Sequence, residues 1–505
     1  MTNTSTPSTP STPSTLGTPG TNRKVIILAI AGAIGGFLFG FDSSVINGAV
    51  NAVQKEFALS GALTGFAVAC ALLGAAAGAF FGGRFADRYG RIPMMVVGGV
   101  VFLASSIGSG FAFGVVDLIV WRVIGGLGIG LASVVAPAYI AEISPRHMRG
   151  RLGSLQQLAI TLGIFTALLS DAVFANAAGG ASGMYWFGLE AWRWMFLAGA
   201  VPAIVYGAIA FALPESPRFL VLKGRERDAR AVFLKIWPAG DVDRELRDMK
   251  SSITDDQRSQ RSGSLRGATF GLKPIVWVGI ILSVFQQFVG INVIFYYSTT
   301  LWEAVGFAES DSLTISVITS ITNIVVTLVA IALVDRIGRR PILLAGSVGM
   351  TVSLATMALA FSQSETINGA LSLPGAWAPV ALVAANLFVI SFGASWGPVV
   401  WVLLGEIFPN SIRAKALGLA AAAQWIANFL ITVSFPPMAD LSLPITYGMY
   451  ALFAGLSFWF VLVKVPETNG MSLEQADTLL PPKNAARKAR GGNSSDHRTA
   501  EKSAR

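Results

Sequence analysis

The chain reads as an all-α membrane protein of twelve transmembrane helices. They form two pseudo-symmetric six-helix bundles with a cytoplasmic helical segment between them. Three observations predict this. Hydrophobic residues make up 53% of the 505 residues and charged residues 13%, against about 25% charged in an ordinary soluble domain. Twelve apolar segments each approach the roughly 20 residues that a membrane-spanning helix requires. The charged turns between those segments occur twice, the second set following the first by roughly 250 to 265 residues, about half the chain.

The apolar segments fall at about 25–47, 61–82, 94–113, 116–140, 153–175, 192–213, 274–298, 313–334, 341–361, 377–404, 415–436 and 443–463. Buried helices of a large soluble protein do not account for so many long uncharged runs. The repeated turns are GGRFADRYGR (82–91) with VDRIGRR (334–340), and AEISPRHMRGR (141–151) with GEIFPNSIRAK (405–415). A third pair is PESPRF (214–219) with PETNG (466–470). A duplicated membrane protein with matched halves implies transport through a site between those halves.

Basic residues set the orientation. With the N-terminus inside, all of the 37 Lys and Arg except Lys55, Arg122 and Arg193 fall on cytoplasmic segments. Both termini are therefore expected in the cytoplasm of a multi-pass protein of the cell membrane. The net charge of +9 follows from that bias, calls for no nucleic-acid partner, and suits contact with anionic lipid heads of the bilayer. Cys70 is the only cysteine, which excludes an internal disulfide, and two histidines, His147 and His497, make no metal site. No nucleophile–base pair or nucleotide loop points to an enzyme. No cofactor is implied, and the expected state is a monomer.

The expected organisation is a Ser/Thr/Pro-rich tail at 1–22, a first bundle at 23–219, a linker at 220–272, a second bundle at 273–465 and a polar tail at 466–505. Both tails are expected to be disordered. Within the linker, GRERDARAVFLKIW (224–237) places apolar residues at helical spacing. This reads as short amphipathic helices, either a latch between the halves or a solvated connection.

The ordered motif set DRYGR, PESPRF, QQFVGIN (286–292), DRIGRR and PETNG resembles that of the sugar porters of the major facilitator superfamily, over about residues 29–470. FGFDSSVINGAV (39–50) and LEAWRWMF (189–196) are most similar to actinobacterial glucose permeases and bacterial sugar–proton symporters. The resemblance implies a monosaccharide carried by alternating access, most closely D-glucose, with the proton as coupling ion. Uncoupled uptake, xylose, galactose or myo-inositol as substrate, and a transport-inactive sugar sensor remain open at this point.

Ionisable side chains inside hydrocarbon cost several kcal/mol and are functional candidates by default. Asp42 and Arg122 sit at similar depth, roughly 7 to 10 Å below the outer surface by helical rise. Pairing reduces the desolvation either would suffer alone. The functional reading makes Asp42 a proton acceptor modulated by Arg122; the plain alternative is a static ion pair. Proton symporters of the family resemble this chain in carrying Asp at the Asp42 position, where animal facilitators carry Asn.

A hexose presents hydroxyls and apolar faces. Neutral amides donate and accept without net charge, and aromatic rings suit C–H faces. The resemblance matches sugar-contacting positions to Gln157, Gln286, Gln287, Asn292, Asn323, Trp401, Gln424 and Asn428, and aromatic positions near the pocket to Phe39 and Trp425. On a regular helix Asn292 lies about 120° from Gln286 and about 140° from Gln287. Unwinding at Gly290 would bring the three together. Any one amide alone reads as interhelical glue; amides on several helices together favour a shared pocket. Trp396 and Trp401 flank Gly397 and Pro398, an expected break in span 10.

The resemblance assigns gating salt bridges at the inner ends to Arg84, Asp87, Arg88, Arg91, Glu142, Arg149, Asp335, Arg336, Arg339, Glu406 and Arg413. The alternative is that these residues only enforce topology and cap helices. Ile92 stands where the family often has a second basic residue, which predicts a weaker first gate. Gly393 and Val400 replace the Glu and Pro of animal facilitators and resemble bacterial symporters.

Overall fold

A computed structural model describes residues 19–144, 149–236, 242–262, 264–367, 370–409 and 412–468; both expected tails fall largely outside this range, and the side chains of Arg149 and Asp335 are not among those described. Within these residues twelve helices are long and apolar enough to cross a membrane. Spans 1 to 6 are Arg23–Glu56, Gly61–Tyr89, Arg91–Gly110, Val115–Ile143, Leu152–Ala178 and Ala191–Ala212. Spans 7 to 12 are Pro274–Tyr296, Glu309–Leu333, Arg339–Ser362, Trp377–Ile407, Lys415–Leu441 and Leu443–Lys464. All twelve expected segments are present. Several run past the expected ends, span 1 as far as Glu56, because a helix continues with polar residues where the apolar stretch has stopped. Ser60 and Ser442 fix two of the starts by accepting the N–H of Leu63 and Ile445.

The halves repeat one packing plan. Span 3 packs on spans 4 and 6 in the first half, as span 9 packs on spans 10 and 12 in the second. The halves meet through spans 2 and 11 and spans 5 and 8, which are equivalent pairs under the internal two-fold relation. Glycine permits the tightest contacts. A Cβ on Gly74 or Gly78 would overlap the carbonyl of Val123 or Leu127, and one on Gly126 or Gly130 the carbonyl of Ala71 or Ala75. Two small-residue ladders therefore interlock across spans 2 and 4, where close backbone approach replaces the hydrophobic drive that lipid cannot supply.

The helical segment after span 6 comprises Pro217–Leu222, Glu226–Ile236 and Val242–Ser262. Its Phe219, Leu220, Ala229, Val232 and Ile236 bury together with Val25, Ala29, Ile140 and Leu152. The amphipathic reading holds, and these apolar contacts are all to the first half. Exposed ion pairs such as Lys250–Glu226 (2.8 Å) add little.

Gly126→Val is expected to force spans 2 and 4 apart. Overpacking of this kind costs about 1–3 kcal/mol, so the variant should melt several degrees below the parent in a thermal-unfolding assay of detergent-purified protein. Gly207→Val, where a Cβ meets nothing, should leave the melting temperature unchanged.

Candidate functional site

Asp42 and Arg122 are both buried, and Arg122 Nη1 donates to Asp42 Oδ1 at 3.1 Å and to the Asp42 carbonyl at 3.3 Å. Arg122 also lies 5.8 Å from the Phe196 ring centroid, and its Nε has no hydrogen-bond partner. The pair borders a small pocket lined also by Phe39, Ser43, Leu72 and Tyr296. Tyr296 stands on span 7, so groups from both halves face the ion pair. A buried charge pair of this kind is sensitive to loss of either member, since the one left behind is an uncompensated buried charge.

Span 7 does not run straight. Gly290 adopts φ +82°, the helix stops at Phe288, and a new one runs Ile291–Tyr296. Glycine takes this left-handed conformation at no steric cost. The break turns Asn292 back, so that its Nδ2 donates to Gln287 Oε1 at 2.6 Å. Gln287 Nε2 reaches Gln286 Oε1 at 3.5 Å, and Gln286 Nε2 donates to the Trp396 and Gly397 carbonyls at 2.8 and 3.3 Å. Three amides that a regular helix would separate thus form one chain ending on span 10. Span 10 is itself broken between Trp377–Gly393 and Trp396–Ile407, around Ser395.

The other candidate residues divide by what they touch. Trp425 on span 11 meets Phe39 on span 1 edge-on at 5.6 Å, a contact between the halves. Asn428 is buried, one turn from Gln424, and accepts from Thr432 Oγ1 at 3.1 Å. Gln424 Oε1 is buried without a partner, and such an atom is costly unless a ligand or water serves it. Asn323 Oδ1 lies beside Gly393, so span 8 packs close to span 10 where a larger residue would intrude. Gln157 is half-buried on span 5. Trp401 is 42% exposed, whereas Trp396 is fully buried with its Nε1 on Ser347 Oγ at 2.9 Å. Trp396 is therefore a packing residue, and Trp401 is the exposed one of the two.

At the charged turns the two halves carry the same cluster. Arg91 forks onto both oxygens of Glu142 (3.0 and 2.9 Å) and bonds Asp87 at 3.0 Å. Arg339 forks onto Glu406 in the same way (3.1 and 2.9 Å). Each of these ion pairs lies within one half. Sequence reasoning missed four members. Glu215 accepts the N–H groups of Arg91 and Ile92, as Glu467 does for Arg339 and Arg340, while Ser216 and Thr468 donate to Glu142 and Glu406. The repeated Pro-Glu-Ser/Thr of the third motif pair was the available signal: an acid placed to cap the next helix start. Ile92 keeps its backbone bond, so the departure costs only the tie that the Arg340 side chain makes to the Leu462 carbonyl (2.7 Å). Arg84 and Arg88 lie over the Phe80 and Tyr89 rings, Arg336 is exposed, and Arg413 Nε donates to the Phe408 carbonyl.

One more ionisable residue escaped sequence reasoning. Asp171 on span 5 is fully buried, with Oδ2 accepting from the Gly48 N–H at 3.2 Å and Oδ1 unpartnered. Its place in the apolar run LLSDAVF was the signal. Among the described residues no cluster of His, Cys, Asp and Glu is arranged to hold a metal.

Residues 28–480 match the family model for sugar (and other) transporters. The chain belongs to the sugar transporter family. This transporter is 53% identical over 453 residues to the glucose transport protein of Synechocystis sp., covering 89% of the chain and 96% of that protein. It is 36% identical over 424 residues to the D-xylose-proton symporter of Escherichia coli, covering 79% and 82%. Among solved structures, it resembles the inward-open xylose transporter XylE of E. coli with a TM-score of 0.77 and 33% identity, covering 90% of this chain and 100% of that one. The complex of the proton:xylose symporter XylE with 6-bromo-6-deoxy-D-glucose gives a TM-score of 0.75 at 33% identity, with 91% and 100% covered. The transporter is thus a multi-pass sugar porter of the major facilitator superfamily, and its relatives are carriers, not enzymes.

Gln286→Ala in this transporter removes the donor that ties the span 7 break to span 10. Loss of a buried hydrogen bond of this kind costs about 1–3 kcal/mol. Thermal unfolding in detergent should register the fall without any ligand present, and Gln286→Glu, which lacks the donor, should not restore it.

Proposed function

We propose that this sugar porter imports a hexose, D-glucose foremost, together with protons by alternating access. The observation that carries the proposal is the buried Asp42–Arg122 pair beside a pocket that Tyr296 of span 7 also lines. A charged acid is held where the sugar-facing half of the protein can sense it. The relatives named above supply the substrate class: one is a glucose transport protein and another a xylose–proton symporter.

In this reading Gln287, Asn292, Gln424 and Asn428 bind hydroxyls, Gln157 and Asn323 close the site from spans 5 and 8, and Phe39, Trp401 and Trp425 cover the C–H faces. Gln286 contributes its remaining lone pair while its NH2 holds the span 10 break. Protonation of Asp42 removes the attraction to Arg122 and leaves a neutral acid and a cation in the same pocket. Spans 1 and 4 then lose the link that fixes them, and the halves rock about the sugar. The clusters around Arg91 and Arg339 hold each half rigid at its charged-turn end and, in the outward-facing state, engage the opposite half. The charged turns lie in the cytoplasm, as the distribution of basic residues supports, and the working unit is a monomer in the cell membrane.

Two variants separate the parts. Asp42→Asn should abolish accumulation of labelled D-glucose by proteoliposomes under an inward proton gradient while sparing exchange; accumulation by the variant would remove Asp42 from the coupling step. Gln287→Ala should weaken D-glucose binding by roughly tenfold or more in equilibrium titration, since it leaves a hydroxyl unpaired. An unchanged affinity would remove Gln287 from the pocket.

A further inference from the structure

The two halves are clasped at the end opposite the charged turns by side chains that neither the sugar site nor the Asp42–Arg122 pair uses. Asn47 and Asn51 stand one turn apart on span 1. Asn47 Oδ1 accepts the Thr299 N–H at 3.0 Å, and its Nδ2 donates to Ser316 Oγ at 3.3 Å. Asn51 Oδ1 accepts from Thr300 Oγ1 at 2.7 Å, and its Nδ2 donates to Glu303 Oε2 at 2.9 Å. Thr299, Thr300 and Glu303 belong to the short helix Ser298–Ala304 that follows span 7. A second acid of that half, Glu309, accepts the Ala181 N–H beyond span 5 at 2.6 Å. The second half therefore grips the first through two carboxylates.

Glu303 is half-buried, and its Oε1 is a buried atom with no hydrogen-bond partner. No described ion pair neutralises it. Of the charged side chains on the elements packed around it, Glu309 at the start of span 8 is the one whose charge reaches it. Lys55 and Glu56 on span 1, Asp311 on span 8 and Glu365 on the neighbouring strand pair are exposed. A proton on Oε1 would break no existing bond and would remove the repulsion from Glu309.

We infer that Glu303 is a proton-responsive positioning residue: a proton on its free oxygen holds the clasp between Asn51 and the Ser298–Ala304 helix shut, and its loss loosens the clasp. The inference rests on the alternating-access reading above and adds to it a titrating site remote from Asp42. Burial and the Glu309 charge push the Glu303 carboxyl from 4.5 up to about 7 in the clasped state. With the clasp open, Glu303 faces water at its ordinary value, so the proton binds the closed form more tightly. The stabilisation is complete below about 4.5 and is lost as pH rises through about 7. Acid on that side thus favours closure behind a loaded substrate.

The test uses the full chain in nanodiscs, without sugar or a gradient, carrying Cys70→Ala to remove the native thiol and Asp42→Asn so that Asp42 does not titrate. Spin labels go on Val116→Cys and Ile445→Cys, each 71% exposed and one in each half. The distance distribution should shift from short to long between about pH 5.5 and about pH 8.5, the closed-to-open ratio falling by roughly tenfold or more. Adding Glu303→Gln should keep the short distance at both pH values. Glu309→Gln, which leaves Glu303 in place, should move the midpoint downward and serves if the Glu303 variant does not fold. A parent distribution that ignores pH, or a pH response that survives Glu303→Gln, overturns the inference. Glucose accumulation is measured separately, so failure here leaves the transport proposal standing, and failure of transport leaves this result readable.

Discussion

Inside hydrocarbon there is no water to satisfy a polar group, and this constraint organises the protein at every level. It makes the spanning segments helices. It pairs Asp42 with Arg122 and strings Asn292, Gln287 and Gln286 into a chain that ends on span 10 carbonyls. It also explains why irregular backbone is confined to the bundle interior, at Gly290 and around Ser395, where other side chains serve the freed groups. In the function proposed above these polar groups serve a polar substrate, since buried polar groups are not required for stability alone.

The same constraint separates rigid from movable contacts. Within the first half, interlocked glycines bring spans 2 and 4 to backbone contact, which leaves no room for sliding. Between halves, the contacts include aromatic edges such as Phe39–Trp425 and Phe66–Phe429, the hydrogen bonds of Asn47 and Asn51, and one close backbone approach, of Gly65 on span 2 to the Val433 carbonyl on span 11. The aromatic edges and neutral hydrogen bonds are individually worth about 0.5–1.5 kcal/mol, and the bond to the Glu303 carboxylate somewhat more. In the mechanism proposed above the halves rock between two docked arrangements, and a bound proton or sugar needs only a modest differential affinity to choose between arrangements of similar energy.

Much of this was legible in the sequence. The twelve spans followed from length and composition, and the internal repeat gave the matched halves. The Asp42–Arg122 pair followed from depth along two helices, and Gly290 pointed to the break that gathers the span 7 amides. Other parts were not legible for physical reasons. The helical linker alternates charge with apolar residues in a way that fits either partner, and only folding shows Phe219 and Val232 buried against the first half. Asp171 stood in plain sight in an apolar run, but the sequence does not show that it meets the Gly48 N–H. Glu215 and Glu467 were read as motif letters, though their carboxylates cap the helices that begin at Arg91 and Arg339. The clasp at Glu303 joins residues about 250 positions apart whose types suggest nothing singly.

In the mechanism proposed, sugar and proton cross together because a buried acid and an amide-lined site share one pair of moving bodies. The most direct measurement is the pH of a lightly buffered medium around parent proteoliposomes when D-glucose is added outside with no imposed gradient. Coupled entry should alkalinise the medium in step with sugar uptake, and a protonophore should abolish the change. Entry of labelled glucose at the same rate with no change in external pH would contradict coupled entry.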